Sequence, residues 1–70
     1  MLENCSAVID KLIEQRHSKK MTQKDLAEAA HLTQSVIARL ENKKSKPQLD
    51  TLLRVISALG CTLEITPMVK

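Results

Sequence analysis

Apolar side chains recur along this chain at helical spacing in four stretches and then, near its end, at every second residue. Val8, Ile9, Leu12 and Ile13 follow Asn4 and Ser6, either of which suits a first-turn cap, and the stripe predicts a helix over 5–19. In Met21-Thr22-Gln23-Lys24-Asp25-Leu26, Thr22 stands as N-cap with Asp25 at N3, and Met21 and Leu26 occupy the two positions of a hydrophobic staple. A second helix is expected over 23–30. The same grammar returns further on, with Thr33 as cap and Leu32 and Ile37 as staple, and predicts a third helix over 34–43. Leu49, Leu52, Leu53, Ile56 and Leu59, with Pro47 before them and Gly60 after, predict a fourth over 49–59.

Only Ala30-His31-Leu32 separates the second helix from the third, which leaves room for a sharp turn and nothing more. That is the spacing of a helix-turn-helix unit. Beyond Gly60 the period falls to two: Cys61, Leu63 and Ile65 alternate with Thr62, Glu64 and Thr66 until Pro67 ends the run. The chain holds no second strand to pair with this one. Its unpaired backbone groups are best satisfied by the identical strand of a second copy about a two-fold axis, with Cys61, Leu63 and Ile65 as the dimerisation residues. A frayed, extended tail is the alternative. The fold expected is thus all-α: a compact four-helix domain over 1–60 and, over 61–70, a short C-terminal β-strand paired across a homodimer.

Composition narrows the function. Seventy residues make one small domain, and 43% of them are aliphatic or cysteine with no Phe, Tyr or Trp, so the core is aliphatic and no aromatic platform exists for stacking single-stranded bases. Cys5 and Cys61 are far apart without CxxC spacing, and His17 and His31 complete no ligand pattern with them. Neither metal nor cofactor is expected. Cys5 reads as an exposed or partly packed helix residue, and Met21 and Met68 read as packing. No nucleophile, base and orienting carboxylate fall together, which argues against an enzyme. No apolar run nears the ~20 residues of a membrane span, and no basic-then-apolar leader opens the chain. A cytoplasmic protein with reduced thiols and no membrane partner is expected.

The formal charge of +3 is unevenly distributed. Residues 16–46 carry eight Lys or Arg against Asp25, Glu28 and Glu41, a local excess of +5, whereas 1–15 sum to −2 and 47–70 to zero. A basic centre points to an anionic partner, nucleic acid being the commonest. On a wheel of 100° per residue, Val36, Ile37 and Leu40 share one side of the third helix; Gln34, Ser35, Ala38, Arg39 and Asn42 share the other. Amides, a hydroxyl, a guanidinium and a small gap are the groups that read base edges in a major groove. An ordinary polar helix face is the competing reading. Arg16, Lys19 and Lys20 lie before the unit and Lys43, Lys44 and Lys46 after it, which suits phosphate contacts on both sides of a groove. Gln23 and Lys24 open the second helix, whose N-terminal end can also face a phosphate.

Three ordered signals then carry a resemblance: Met21-Thr22-Gln23 with Leu26-Ala27, Leu32-Thr33-Gln34-Ser35 with Ile37 and Arg39-Leu40-Glu41-Asn42, and Pro47 with Leu52-Leu53, Ile56 and Leu59-Gly60. Over about residues 8–60 the chain resembles the Cro/lambda-repressor-like helix-turn-helix family. The resemblance implies a dimeric, sequence-specific repressor of double-stranded DNA. It places Gln34, Ser35, Ala38 and Arg39 at the bases, and Gln23, Asn42, Lys44 and Lys46 at the backbone, where Lys24 and Lys43 join them from the basic flanks. It has Gln23 brace Gln34 and pairs Arg16 with Glu41 as a structural ion pair. Two positions depart from the family pattern. His31 replaces the usual turn glycine, at a position that tends to need φ > 0, and Lys43 stands where a glycine often follows Glu-Asn. Tolerance of the turn is preferred for His31 over a pH switch. The ending Leu-Glu-Ile-Thr-Pro is similar to antitoxins of the HigA and HipB type, which bind a toxin and repress their own operon. An alternative follows: an antitoxin or adaptor whose main role is binding a protein partner, with DNA binding secondary.

Overall fold

In the computed structural model, which describes residues 3–44 and 46–68, four helices follow one another: α1 (Glu3–Ser18), α2 (Gln23–Ala30), α3 (Gln34–Asn42) and α4 (Leu49–Ala58). Helix α1 begins at Glu3, so Asn4 and Ser6 lie within it and neither caps it. Thr22 caps α2: its Oγ1 accepts from the Asp25 N–H at 3.0 Å while the Thr22 N–H donates to Asp25 Oδ2 at 2.9 Å. The second of these bonds, from the Thr22 N–H to the carboxylate, is the foremost cause that holds the Asp25 carboxyl below its ordinary pKa. Thr33 caps α3 by accepting from the Val36 N–H at 3.3 Å.

A residue in the left-handed region follows each helix within two positions: Lys20 at φ 56°, His31 at 58°, Lys43 at 60° and Gly60 at 69°. At three of these ends the next N–H reaches back across the turn. Met21 donates to Arg16 O at 3.1 Å, Leu32 to Ala27 O at 2.8 Å and Cys61 to Ile56 O at 3.0 Å, the six-residue closure of a Schellman motif. Met21, Leu32 and Cys61 all pack against the core, as the residue after a left-handed cap commonly does.

That core is formed by Ile9 and Leu12 of α1, Leu26 and Ala27 of α2, Ile37 and Leu40 of α3, and Val55, Ile56 and Leu59 at α4 and its end. Helix α2 packs on α3 and α4, and α1 packs on α3. Among the described residues no polar or charged side chain is buried. The stripe of α4 is narrower than the sequence pattern suggests. Leu52, Val55, Ile56 and Leu59 form it, while Leu49 and Leu53 are 64% and 43% exposed, because Leu53 points 100° around the helix from Leu52.

The C-terminal segment corrects the sequence reading. Residues 61–68 hold no regular secondary structure, and the described residues contain no strand, since one chain offers this segment no ladder to join. Cys61 turns inward as the anchor of the α4 terminus. Leu63 and Ile65 are both exposed, at 46% and 96%, so the alternating apolar positions do not define a buried face. Met68, expected in packing, is 91% exposed because the segment leaves the core after Cys61. Residues 1, 2, 69 and 70, which belong to the two expected segments, lie outside the described residues.

A left-handed backbone disfavours any residue with a Cβ by about 1–2 kcal/mol, part of which glycine gives back through its freer unfolded chain. His31→Gly is therefore expected to stabilise the protein by about 0.5–1 kcal/mol in urea denaturation, whereas Ala29→Gly, inside α2, is expected to destabilise it by a similar amount.

Candidate nucleic-acid interface

The turn at His31 sets α3 across α2 and leaves one long side of α3 facing outward. Gln34, Ser35, Arg39 and Asn42 are exposed along it and Ala38 is half-buried between them, while Ile37 and Leu40 are buried on the opposite side. Arg39 and Lys46 line one surface cleft of about 340 Å³ together with Gln48 and Thr51 of the α4 start. The sequence pattern gave no sign of Gln48 or Thr51 there, because the loop before α4 determines which residues return to α3. Lys24 and Lys44 are exposed and make no ion pair among the described residues.

Glu41, at the end of α3, ties three elements together. Its Oε2 accepts from Arg16 Nε at 2.7 Å and its Oε1 from Arg16 Nη2 at 2.9 Å, a two-pronged pair between α1 and α3 whose side chains are each 11% exposed. Arg16 Nη1 also donates to the carbonyl of Met21 at 2.8 Å, just before α2. Gln23 Nε2 donates to Glu41 Oε1 at 3.1 Å. Gln23 thus turns toward Glu41, and no hydrogen bond joins it to Gln34, because the carboxylate offers its amide a charged acceptor.

Lys43 is also engaged. Its Nζ donates to Asp10 Oδ1 of α1 at 2.6 Å, with the two side chains 30% and 63% exposed, so this cation of the basic flank is already shared with a carboxylate. Asp10 carried no signal in the sequence, since thirty-three positions separate the partners.

A family model described as helix-turn-helix matches residues 12–65 of this chain. The chain belongs to the helix-turn-helix family. Over 62 residues it is 40% identical to an uncharacterized HTH-type transcriptional regulator of Haemophilus influenzae, covering 89% of this chain and 63% of that relative. The chain therefore spans less than two thirds of the length of this curated relative. A solved structure, a toxin-antitoxin module from Streptococcus pneumoniae, superposes with a TM-score of 0.78 at 44% identity, covering 94% of this chain and 72% of that one. In helix-turn-helix terms, α2 is the first helix of the unit and α3 the second. No helix among the described residues is long and apolar enough to cross a membrane.

The two ion pairs should differ sharply in energetic weight. Arg16→Ala leaves a sheltered carboxylate without its partner and is expected to lower stability by about 3 kcal/mol. Lys43→Ala opens a solvent-exposed pair and should lower it by no more than about 1 kcal/mol. Thermal or urea unfolding of the two variants checks the contrast.

Proposed function

We propose that this chain is a sequence-specific regulator of transcription that binds double-stranded DNA as a homodimer and acts as a repressor, using no cofactor. The observation that carries this reading is the exposure of Gln34, Ser35, Arg39 and Asn42 along one face of α3 in a chain of the helix-turn-helix family. Residues 1–60 are the DNA-binding unit. Gln34, Ser35, Ala38 and Arg39 read base edges, the amides and guanidinium by paired hydrogen bonds and Ala38 by leaving room for a thymine methyl. Gln23, Lys24, Asn42, Lys44 and Lys46 hold the phosphate backbone, and Lys43 joins them when Asp10 releases it. A cytoplasmic location follows from this reading, since the protein acts where the DNA is.

Residues 61–70 are the self-association element. Leu63, Ile65 and Met68 are exposed apolar side chains on residues 62–68, which have no backbone partner among the described residues, and a second copy of the same segment supplies both missing contacts. Cys61 fixes the start of that element by packing against its own core. Two α3 helices related by the two-fold then enter successive major grooves about 34–36 Å apart, so the site is an inverted repeat. A second reading is favoured by the toxin-antitoxin module of Streptococcus pneumoniae, to which the chain is 44% identical. By that reading the chain also holds a toxin protein as partner, and DNA binding regulates the pair's own synthesis.

Selection from a random duplex pool tests the first reading, with enrichment of a short inverted repeat as the expected outcome and an unenriched pool as the result that overturns it. On the recovered site, Arg39→Ala should weaken binding by about 1–3 kcal/mol and relax preference at one base pair, while Lys44→Ala should weaken all duplexes alike. Equal losses on random DNA for both variants would remove the base-reading role from Arg39. For the dimer, Leu63→Asp combined with Ile65→Asp is expected to convert the protein to a monomer in sedimentation with its helical circular dichroism intact; an unchanged mass would exclude this segment as the interface.

A further inference from the structure

We infer that Glu41 is a positioning residue for DNA binding: it fixes which edge of the Gln23 side chain faces the phosphate backbone. The inference rests on the reading of Gln23 as a backbone contact given above. Gln23 is the first residue of α2 and is half-buried, and its Nε2 lies 3.1 Å from Glu41 Oε1. A carboxylate has no proton to give, so only the NH2 side of the amide can meet it. Turning the amide over would set its carbonyl oxygen against Oε1, two acceptors with no hydrogen between them. The orientation of Gln23 is therefore dictated by Glu41, although Gln23 itself could make either contact.

What remains of the amide for an outside partner is one N–H and the carbonyl oxygen. Phosphate oxygens only accept, so they take the free N–H. Without Glu41 the amide is a two-fold rotor, and in one of its two orientations it points an acceptor at the phosphate. Arg16 completes the device in two ways. It grips both oxygens of Glu41, at 2.7 and 2.9 Å, and through Nη1 it holds the Met21 carbonyl at 2.8 Å, so the carboxylate is fixed relative to the start of α2. It also supplies the countercharge that lets a carboxylate sit near a polyanion without repelling it.

The test has two parts and uses the full chain with a duplex recovered from the selection. In nitrogen-edited NMR of the wild-type protein, the two Gln23 Nε2 protons give separate signals as in any primary amide, and on adding the duplex the one facing Glu41 should hold its shift while the other moves. Equivalent movement of both protons would overturn the inference. In a double-mutant cycle, Glu41→Gln should weaken binding about three- to tenfold and should have no effect in a Gln23→Met background, with melting temperatures measured separately to remove any loss of folded protein. The same loss in both backgrounds, or none in either, would assign Glu41 to the fold alone. If Glu41→Gln does not fold, the wild-type NMR experiment decides. A wild-type chain that enriches no duplex overturns the DNA reading and this inference with it, whereas enrichment with an unchanged Glu41→Gln effect in both backgrounds overturns only the positioning role.

Discussion

The angle between α2 and α3 depends on Leu32, which belongs to the end of one helix and the start of the next. Its N–H closes α2 on the Ala27 carbonyl at 2.8 Å, its side chain packs against the core, and the following residue, Thr33, caps α3. Fixing one apolar side chain therefore fixes both helix ends, and this is why a link so short can hold a defined corner. Met21 repeats the arrangement between α1 and α2, with Lys20 in the left-handed region before it and the Thr22 cap after it. The unit of construction in the first half of the chain is thus a left-handed residue, an apolar anchor and a threonine. It determines where each helix stops, how sharply the chain turns and which face of α3 is left outside.

Much of this was legible in the sequence because it is local. A threonine cap, an apolar neighbour and a helical stripe are read within one or two turns, so Thr22, Thr33, Leu32 and the outward side of α3 could be placed from spacing alone. Long-range ties could not, apart from the Arg16–Glu41 pair, which the family resemblance supplied and the structure contains. The Gln23 amide finds Glu41 eighteen positions away and Lys43 finds Asp10 thirty-three positions away, and nothing in either local pattern marks the partner. The C-terminal segment fails for a different reason. Alternation of Leu63, Ile65 and their polar neighbours states a strand preference, but a strand exists only with a partner to complete its hydrogen bonds, and a single chain has none to give. Cys61 then follows the stronger local rule, which is to seal the end of α4.

The division of labour between apolar and polar groups is equally clear. The interior is aliphatic throughout the described residues, so packing sets the stability while imposing little direction. Direction comes from the rim, where Arg16 touches α3 through Glu41 and the entry to α2 through the Met21 carbonyl. A guanidinium has enough rigid donors to serve both at once, which a lysine in its place would not. The same rim carries the groups facing outward from α2 and α3, so the orientation of the helix pair and the shape of its polar surface share one set of bonds.

The left-handed helix ends also place charge and backbone comfort in competition. Lys20 and Lys43 occupy conformations that glycine would adopt without strain, and both lie in the stretch that holds the protein's positive excess. Replacing either with glycine would relax the chain and remove a cation from the same point. At Lys43 the side chain offsets part of that strain by reaching Asp10. Sequence change at these corners is therefore constrained from two directions, and a more robust version of this fold would also be a less basic one.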